Sequence, residues 1–301
     1  MTYDVVVIGG GPAGLSAALA LGRARKEVLL CDAGPRRNAA AERIHNFVTR
    51  DGTPPDDFRN AARAQLATYP NVTVRDVGVE AITGARGAFE VTLSEGTVQA
   101  RRILLCTGMV DEMIPLEGFS GLWGTSIFQC PYCHGWEVKD RRWGLLALEA
   151  LAGHLVPFAL QASGWSRDLV VFTGALKTLP DETIAKLKDA GLQVETREVR
   201  RLVSEAGGLQ SVELADGDRI PCEVLFAHPP QRQVSLVEGL QLELDADGYV
   251  QLDAQTRQTS VPGIYAAGDL TSRAQAAVFA AAAGTQIGSM INVDLAMDRL
   301  G

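Results

Sequence analysis

The sequence predicts an α/β protein built from two Rossmann-like, three-layer dinucleotide-binding domains. Three observations carry this expectation. A short β-branched run, Tyr3–Ile8, stops at a glycine-rich turn and passes into a helical stretch. A second succession of buried runs and helical stretches starts at Arg142 and continues to Val250. The chain has 301 residues, 47% of them apolar, enough for two domains with full cores.

Taken in order, Gly9-Gly10-Gly11-Pro12-Ala13-Gly14 follows the first strand, and Leu15–Leu21 reads as a helix. This is Gly-x-Gly-x-x-Gly between a strand and a helix. Gly9 allows the tight turn, Gly11 lets a pyrophosphate approach the backbone, and Gly14 lets helix and strand pack closely. Glu27–Cys31 reads as a second strand ending at Asp32, which is placed to bond a ribose hydroxyl. Asp57–Thr68 reads as a helix, and Val72–Val74, Val77–Ile82 and Phe89–Leu93 as strands. Arg102–Cys106 is another buried strand and ends in Thr107-Gly108. Glu112–Trp123, with Pro115, Gly118 and Gly121, reads as a crossover between domains. In the second domain, strands are expected at Arg142–Leu148, Leu169–Phe172, Val194–Arg197 and Val224–Ala227, with a helix at Glu182–Ala190 and a hairpin at Gly207-Gly208. Toward the end, Gly263-Ile264-Tyr265-Ala266-Ala267-Gly268-Asp269 is a short strand with an acidic end, followed by an alanine-rich helix over Ala274–Met290. The lack of bulk at Ala280–Ala283 suits close packing against a cofactor or another subunit.

Composition excludes several function classes. The net charge of −8 argues against nucleic acid, which requires a basic surface. No apolar run is long enough to span a bilayer, and Met1-Thr2-Tyr3-Asp4 lacks a basic leader, so neither membrane nor export is expected. Five cysteines, with a single close pair, favour a reducing cytoplasm. Cys31, Cys106 and Cys222 sit in strand-like apolar runs and read as small core residues. Cys130 and Cys133 lie three positions apart in Cys130-Pro131-Tyr132-Cys133-His134-Gly135-Trp136-Glu137. Such a pair closes a small, readily exchanged disulfide or contributes to a metal site. With His134 it offers three zinc ligands, but a structural zinc requires four and the chain has no second pair, so no metal is expected.

The order Gly-x-Gly-x-x-Gly, Thr-Gly, Cys-x-x-Cys, Gly-Ile-Tyr-Ala-Ala-Gly-Asp resembles the low-molecular-weight thioredoxin reductases over essentially the whole chain. The resemblance implies an FAD domain formed by residues 1–111 and 246–301, with a nicotinamide-type domain, 112–245, inserted and carrying the cysteines. It also implies a homodimer acting on a thioredoxin-like protein or a small-molecule dithiol. FAD would be held by Gly9, Gly11, Pro12, Ala13, Gly14, Asp32, Asn46, Thr107, Gly108, Gly268 and Asp269. Cys133 would face the flavin, and Cys130 would exchange with substrate.

Two departures matter. Typical members place Asp after the second cysteine. His134 stands here and is able to move protons near neutral pH, as in the dithiol-oxidase subgroup that this motif resembles. The second glycine turn, expected after Arg142–Leu146, is Ala147-Leu148-Glu149-Ala150-Leu151-Ala152, and the next strand ends in Thr173-Gly174-Ala175 instead of a His-Arg-Arg cluster. Pro157 further weakens the following helix. These losses imply a flavoenzyme that works without NADPH, as a dithiol oxidase using oxygen or as a reductase fed by a carrier such as ferredoxin. The negative net charge suits an acidic ferredoxin poorly, unless Arg36-Arg37 forms a local basic patch. The alternatives are an ordinary NADPH-dependent thioredoxin reductase and a non-catalytic redox-sensing flavoprotein. The sequence names neither the dithiol substrate nor the electron partner, nor any ligand of the altered second pocket.

Overall fold

The computed structural model describes residues 2–34, 36–176 and 179–300; the expected domain ends Met1 and Gly301 lie outside these. In chain order the elements are β1 (Thr2–Ile8), α1 (Pro12–Arg23), β2 (Val28–Cys31), α2 (Pro55–Leu66), β3 (Val72–Arg75), β4 (Val79–Ala85), β5 (Ala88–Leu93), β6 (Gly96–Leu105) and β7 (Val110–Asp111). There follow α3 (Phe119–Leu122), β8 (Ile127–Phe128), α4 (Pro131–His134), β9 (Trp143–Leu146), α5 (Leu155–Ala162), β10 (Leu169–Phe172) and α6 (Asp181–Asp189). Next are β11 (Gln193–Glu195), β12 (Val199–Glu205), β13 (Gly208–Leu214), β14 (Arg219–Pro221) and β15 (Val224–Ala227). The chain ends with β16 (Gln231–Arg232), α7 (Ser235–Gly239), β17 (Ile264–Ala266) and α8 (Ala277–Met297).

The chain divides into two compact units, one comprising the residues up to Val110 and from Gln231 onward, the other Asp111–Pro230. The return therefore falls at Gln231 and not at 246. The reason is packing: Val234, Leu236, Val237, Leu240 and Leu242 bury themselves against Tyr3, Val6 and Phe89 of the first unit.

In the first unit, β3, β2, β1 and β6 run side by side in parallel. β6 is long enough to serve two partners on its other edge. Its first half pairs antiparallel with β5, and its last three residues pair in parallel with β17. Strand alternation divides the core. Val5 and Val7 face α1 and α8, whereas Val6 and Ile8 face the opposite layer. In β1, β2 and the second half of β6 both faces are buried, which is why these stretches read as continuous apolar runs. Gly284 and Gly288 of α8 lie against α1 of the same unit, whereas Ala282 is exposed. A Cβ at Gly284 would overlap the Ala13 carbonyl, and Ala280 is buried in the same cluster.

The second unit has a parallel sheet in the order β11-β10-β9-β15-β8 and an antiparallel β12-β13-β14 sheet. The hairpin at Gly207-Gly208 joins β12 to β13. The third strand, β14, was illegible in the sequence because it is three residues long and ends in Pro221. On α5 the structure differs from expectation. The stretch Glu149–His154 forms a 3₁₀ turn, and the α-helix begins only at Leu155. Pro157 thus falls in the first helical turn, where a missing N–H costs little.

One buried charge ties the C-terminal helix to the sheet. Arg102 on β6 is 0% exposed. Its Nε donates to Asp294, and its Nη2 donates to both Asp298 oxygens at 2.8 and 2.9 Å. Asp294 and Asp298 are four residues apart at the end of α8, and Arg102 shares the offset of their repulsion with Arg86 and Arg101. Replacing Arg102 with Met is expected to destabilise the first unit by roughly 1–3 kcal/mol, because the carboxylates lose one charged donor but keep Arg86 and Arg101. A fall in the thermal unfolding midpoint of R102M measures this, and an unchanged midpoint would show that the cluster is not stabilising.

Candidate functional site

The glycine turn is built at the carboxyl edge of β1. Gly9 has φ +112°, and a Cβ there would overlap the Cys106 carbonyl of the neighbouring strand end. A Cβ at Gly14 would overlap the Gly9 carbonyl, so helix and strand can approach this closely only without one. At Gly11, the N-cap of α1, a Cβ would meet nothing within 4 Å, so that side of the turn is open to a ligand. Pro12 is the first residue of α1, where its lack of an N–H is harmless. Ala13 is buried, and its backbone is what Gly284 of α8 approaches.

Around this turn stand the two acidic strand ends. Asp32 is buried; its Oδ1 accepts from Gly34 N–H at 3.2 Å, and its Oδ2 accepts from Arg59 Nη2 at 2.5 Å. A Cβ at Gly10 would overlap Asp32, so the motif's variable position is also constrained. Gly268 adopts φ +94°, and Asp269 opens a 3₁₀ turn. Arg37 Nη1 donates to Asp269 Oδ2 at 3.0 Å and to Gln275 Oε1 at 2.6 Å. Sequence reasoning did not anticipate Arg59, Arg37 or Gln275 as supports, because each lies far along the chain from the residue it holds or on another element. Thr107 Oγ1 is buried with no hydrogen-bond partner among the described residues, and Gly108 has φ +67°. Asn46 sits in the loop between β2 and α2 in a left-handed conformation, φ 60°, which Asn tolerates. It is exposed, and its N–H donates within the loop to Asp51 Oδ1 at 2.7 Å.

In the second unit, β8 ends at Phe128 and delivers the chain into α4. Cys130 and Cys133 are joined by a disulfide, with Cα atoms 5.2 Å apart. His134 is the last residue of α4, and its ring lies on Phe128 with centroids 4.4 Å apart and planes inclined by 16°. Tyr132 and Trp136 are exposed beside the pair. The remaining cysteines are buried and unpaired in disulfides. Burial pushes the Cys31 thiol up to about 11, despite the opposing pull of Arg75, and the Cys222 thiol up to about 12. Cys106 is pushed up further still by burial alone.

Among the described residues, the edge of the second parallel sheet carries no Gly-x-Gly-x-x-Gly turn like that after β1. Glu149, exposed, opens the 3₁₀ turn after β9. A Cβ at Gly174, after β10, would overlap the Arg197 carbonyl. The Arg197 guanidinium is claimed by three carboxylates: Glu195 at 2.8 Å, Asp216 at 2.8 Å and Asp218 at 2.7 Å. These hydrogen bonds raise the Arg197 pKa further, Glu195 contributing most.

A dinucleotide cradle and a redox disulfide in one chain define a nucleotide-cofactor disulfide oxidoreductase. The chain matches the pyridine nucleotide-disulphide oxidoreductase family model over residues 3–284 and belongs to that family. It is 30% identical to thioredoxin reductase tcpT of Claviceps purpurea (strain 20.1), over 99% of this chain and 96% of that protein. It is 32% identical to thioredoxin reductase sirT of Leptosphaeria maculans, over 96% of this chain and 93% of that protein. The crystal structure of the oxidoreductase from Agrobacterium tumefaciens superposes with a TM-score of 0.87 at 34% identity, covering 100% of this chain and 99% of that one. The protein is a thioredoxin reductase-like flavin disulfide oxidoreductase, a kind that binds FAD. The first-unit cradle fits that group: Gly11 is open, Thr107 Oγ1 awaits a partner, and Asp32 and Asp269 are held ready.

Two outcomes follow. After reduction, iodoacetamide at pH 8 is expected to label two cysteines per folded chain, Cys130 and Cys133, because the other thiols stay protonated and buried. Peptide mass mapping checks this, and labelling of Cys106 in the native state would contradict it. Asp269→Ala is expected to weaken FAD retention by roughly 1.5–3 kcal/mol, the worth of a charge-assisted hydrogen bond. Equilibrium release followed by flavin fluorescence measures it, and unchanged retention would remove Asp269 from the FAD site.

Proposed function

We propose that this protein is an FAD-dependent dithiol oxidase: a dithiol reduces the Cys130–Cys133 disulfide, and oxygen takes the electrons without NADPH. The observation that carries this reading is the electrostatics of the second unit. Where a nicotinamide dinucleotide would place its phosphates, Glu149 occupies the turn and Arg197 is outnumbered by Glu195, Asp216 and Asp218. One cation against three anions leaves a local excess of negative charge that disfavours phosphate.

The chain's own residues then do the following. His134 takes a proton from one substrate thiol. The resulting thiolate attacks Cys130 Sγ, the Cys130–Cys133 bond breaks, and Cys133 leaves as the thiolate. The second substrate thiolate attacks the substrate sulfur of the mixed disulfide, closing the substrate disulfide and releasing Cys130, which takes a proton. Bound FAD supplies the two-electron relay from the reduced pair to oxygen. The sum is R(SH)₂ + O₂ → R(S–S) + H₂O₂. Gly9, Gly11, Pro12, Ala13, Gly14, Asp32, Thr107, Gly108, Gly268 and Asp269 hold the cofactor in this scheme, with Asn46 beside it.

A ferredoxin-fed reductase is less well supported. Arg36 pairs with Asp56, and Arg37 with Asp269, so neither is a spare docking charge. The substrate class is a dithiol, either a small molecule or a thioredoxin-like protein, the latter suggested by the names of the relatives. A cytoplasmic homodimer fits the cysteine usage and the family resemblance; among the described residues no helix is long and apolar enough to cross a membrane. A non-catalytic role does not account for a retained disulfide flanked by an aromatic-bound imidazole.

Anaerobic reduction of the purified flavoprotein distinguishes the readings. Dithiothreitol is expected to bleach the flavin, and air to restore it with one peroxide per disulfide formed. NADPH and NADH are expected to react at least about 100-fold more slowly, two decades for the charge and steric exclusion together. Glu149→Gly alone is expected to recover little, because the three carboxylates remain. Rapid, saturable bleaching by micromolar NADPH would overturn the proposal and indicate an ordinary reductase.

A further inference from the structure

We infer that Phe128 is a positioning residue for His134, whose imidazole it holds in the plane that thiol–disulfide exchange requires. This rests on the acid/base role of His134 proposed above. Imidazole rotation about its terminal bond is broad and roughly two-fold, so a histidine without a neighbour on its face samples many orientations. Proton transfer needs a ring nitrogen within hydrogen-bond reach of the thiol, and a misplacement of about 1 Å can cost on the order of 100-fold. A near-parallel ring at 4.4 Å removes that freedom.

Phe128 is itself immobilised, which a positioning residue must be. It is 7% exposed and ends β8, two residues before Cys130. Its ring rests on Phe226 of β15 at 6.1 Å, and Phe226 on Trp143 of β9 at 4.4 Å. Trp143 Nε1 donates to Val138 O at 2.8 Å, tying the far end of this aromatic series to the segment just after the motif. The series therefore runs from the sheet core to the imidazole and back to the chain four residues beyond it. His134 Nδ1 is shielded from solvent, and His134 N–H reaches Cys130 O at 3.3 Å, so backbone and side chain are both constrained. If Phe128 served only to fill the core, any apolar side chain of similar volume would do. What lies against its outer face, however, is a proton-bearing ring, and only another flat ring offers that face a matching surface.

The test is anaerobic stopped-flow bleaching of the flavin by dithiothreitol, with rates taken per bound FAD, in F128L, F128M, F128Y, H134A and F128L/H134A. F128L and F128M keep apolar bulk but lose the flat face, and both are expected to slow bleaching by about tenfold, within the range set by small misplacement. F128Y is expected to return close to the wild-type rate. In the H134A background F128L is expected to add nothing, because an effect carried through the imidazole disappears with it. Wild-type rates in F128L and F128M, or an F128L/H134A rate equal to the product of the two single losses, would overturn the inference while leaving the role of His134 intact. An H134A variant as fast as wild type would overturn both.

Discussion

The first unit depends on a close backbone approach around the start of α1. Gly14 lies against the Gly9 carbonyl, Gly9 against the Cys106 carbonyl, and Gly284 of α8 against Ala13. A methyl group at any of these points would overlap main chain, which cannot yield as a flexible side chain can. The contacts therefore fix where α1 begins relative to the edges of β1 and β6. That edge is where Asp32, Thr107 and Asp269 end their own strands or open their turns, so one steric constraint sets the positions of three polar groups. The Arg102 ion cluster holds the other end of α8 against β6.

The second unit repeats the architecture without the chemistry. Its parallel sheet and α5 keep an apolar core, with Phe226, Leu145 and Leu155 packed together. Core packing and phosphate binding are separate demands on a sequence. Buried residues respond to volume and hydrophobicity, whereas the turn after β9 and the end of β10 respond to glycine and to spare cations. A unit can therefore keep the first set without the second, as the proposed function requires of this one. What the unit retains is the dithiol pair and the aromatic series that supports His134.

Much of the fold was legible because its signals are local. The runs that became β1, β2, β6, β9, β10 and β15 are short, apolar and bounded by glycine or acidic residues, and both of their faces are buried. Less legible were features that depend on several residues at once. That α5 begins only at Leu155, after a 3₁₀ turn, and so takes Pro157 into its first turn was not legible. The return to the first unit moved to Gln231 because Val234, Val237 and Leu242 find their apolar partners there, which no local pattern announces. The close fit of Gly284 and Gly288 of α8 onto α1 was also not legible, because it depends on two helices far apart in the chain.

By itself the sequence determined the residue types at the glycine turn, at the acidic strand ends and around the cysteine pair with His134, and their spacing. Each is written within a few neighbouring residues, so each is readable from the chain without the others. Only the tertiary structure decided which side chains support them. Arg37 reaches Asp269 across 232 residues, and Arg59 reaches Asp32 across 27. Arg102 meets Asp294 and Asp298 across 192 and 196 residues. Phe128 is near His134 in the chain, but their stacking depends on the packing of β8 against β15. Charge pairing and ring stacking act through space at a few ångströms, and that proximity is set by packing, which spacing along the chain does not encode.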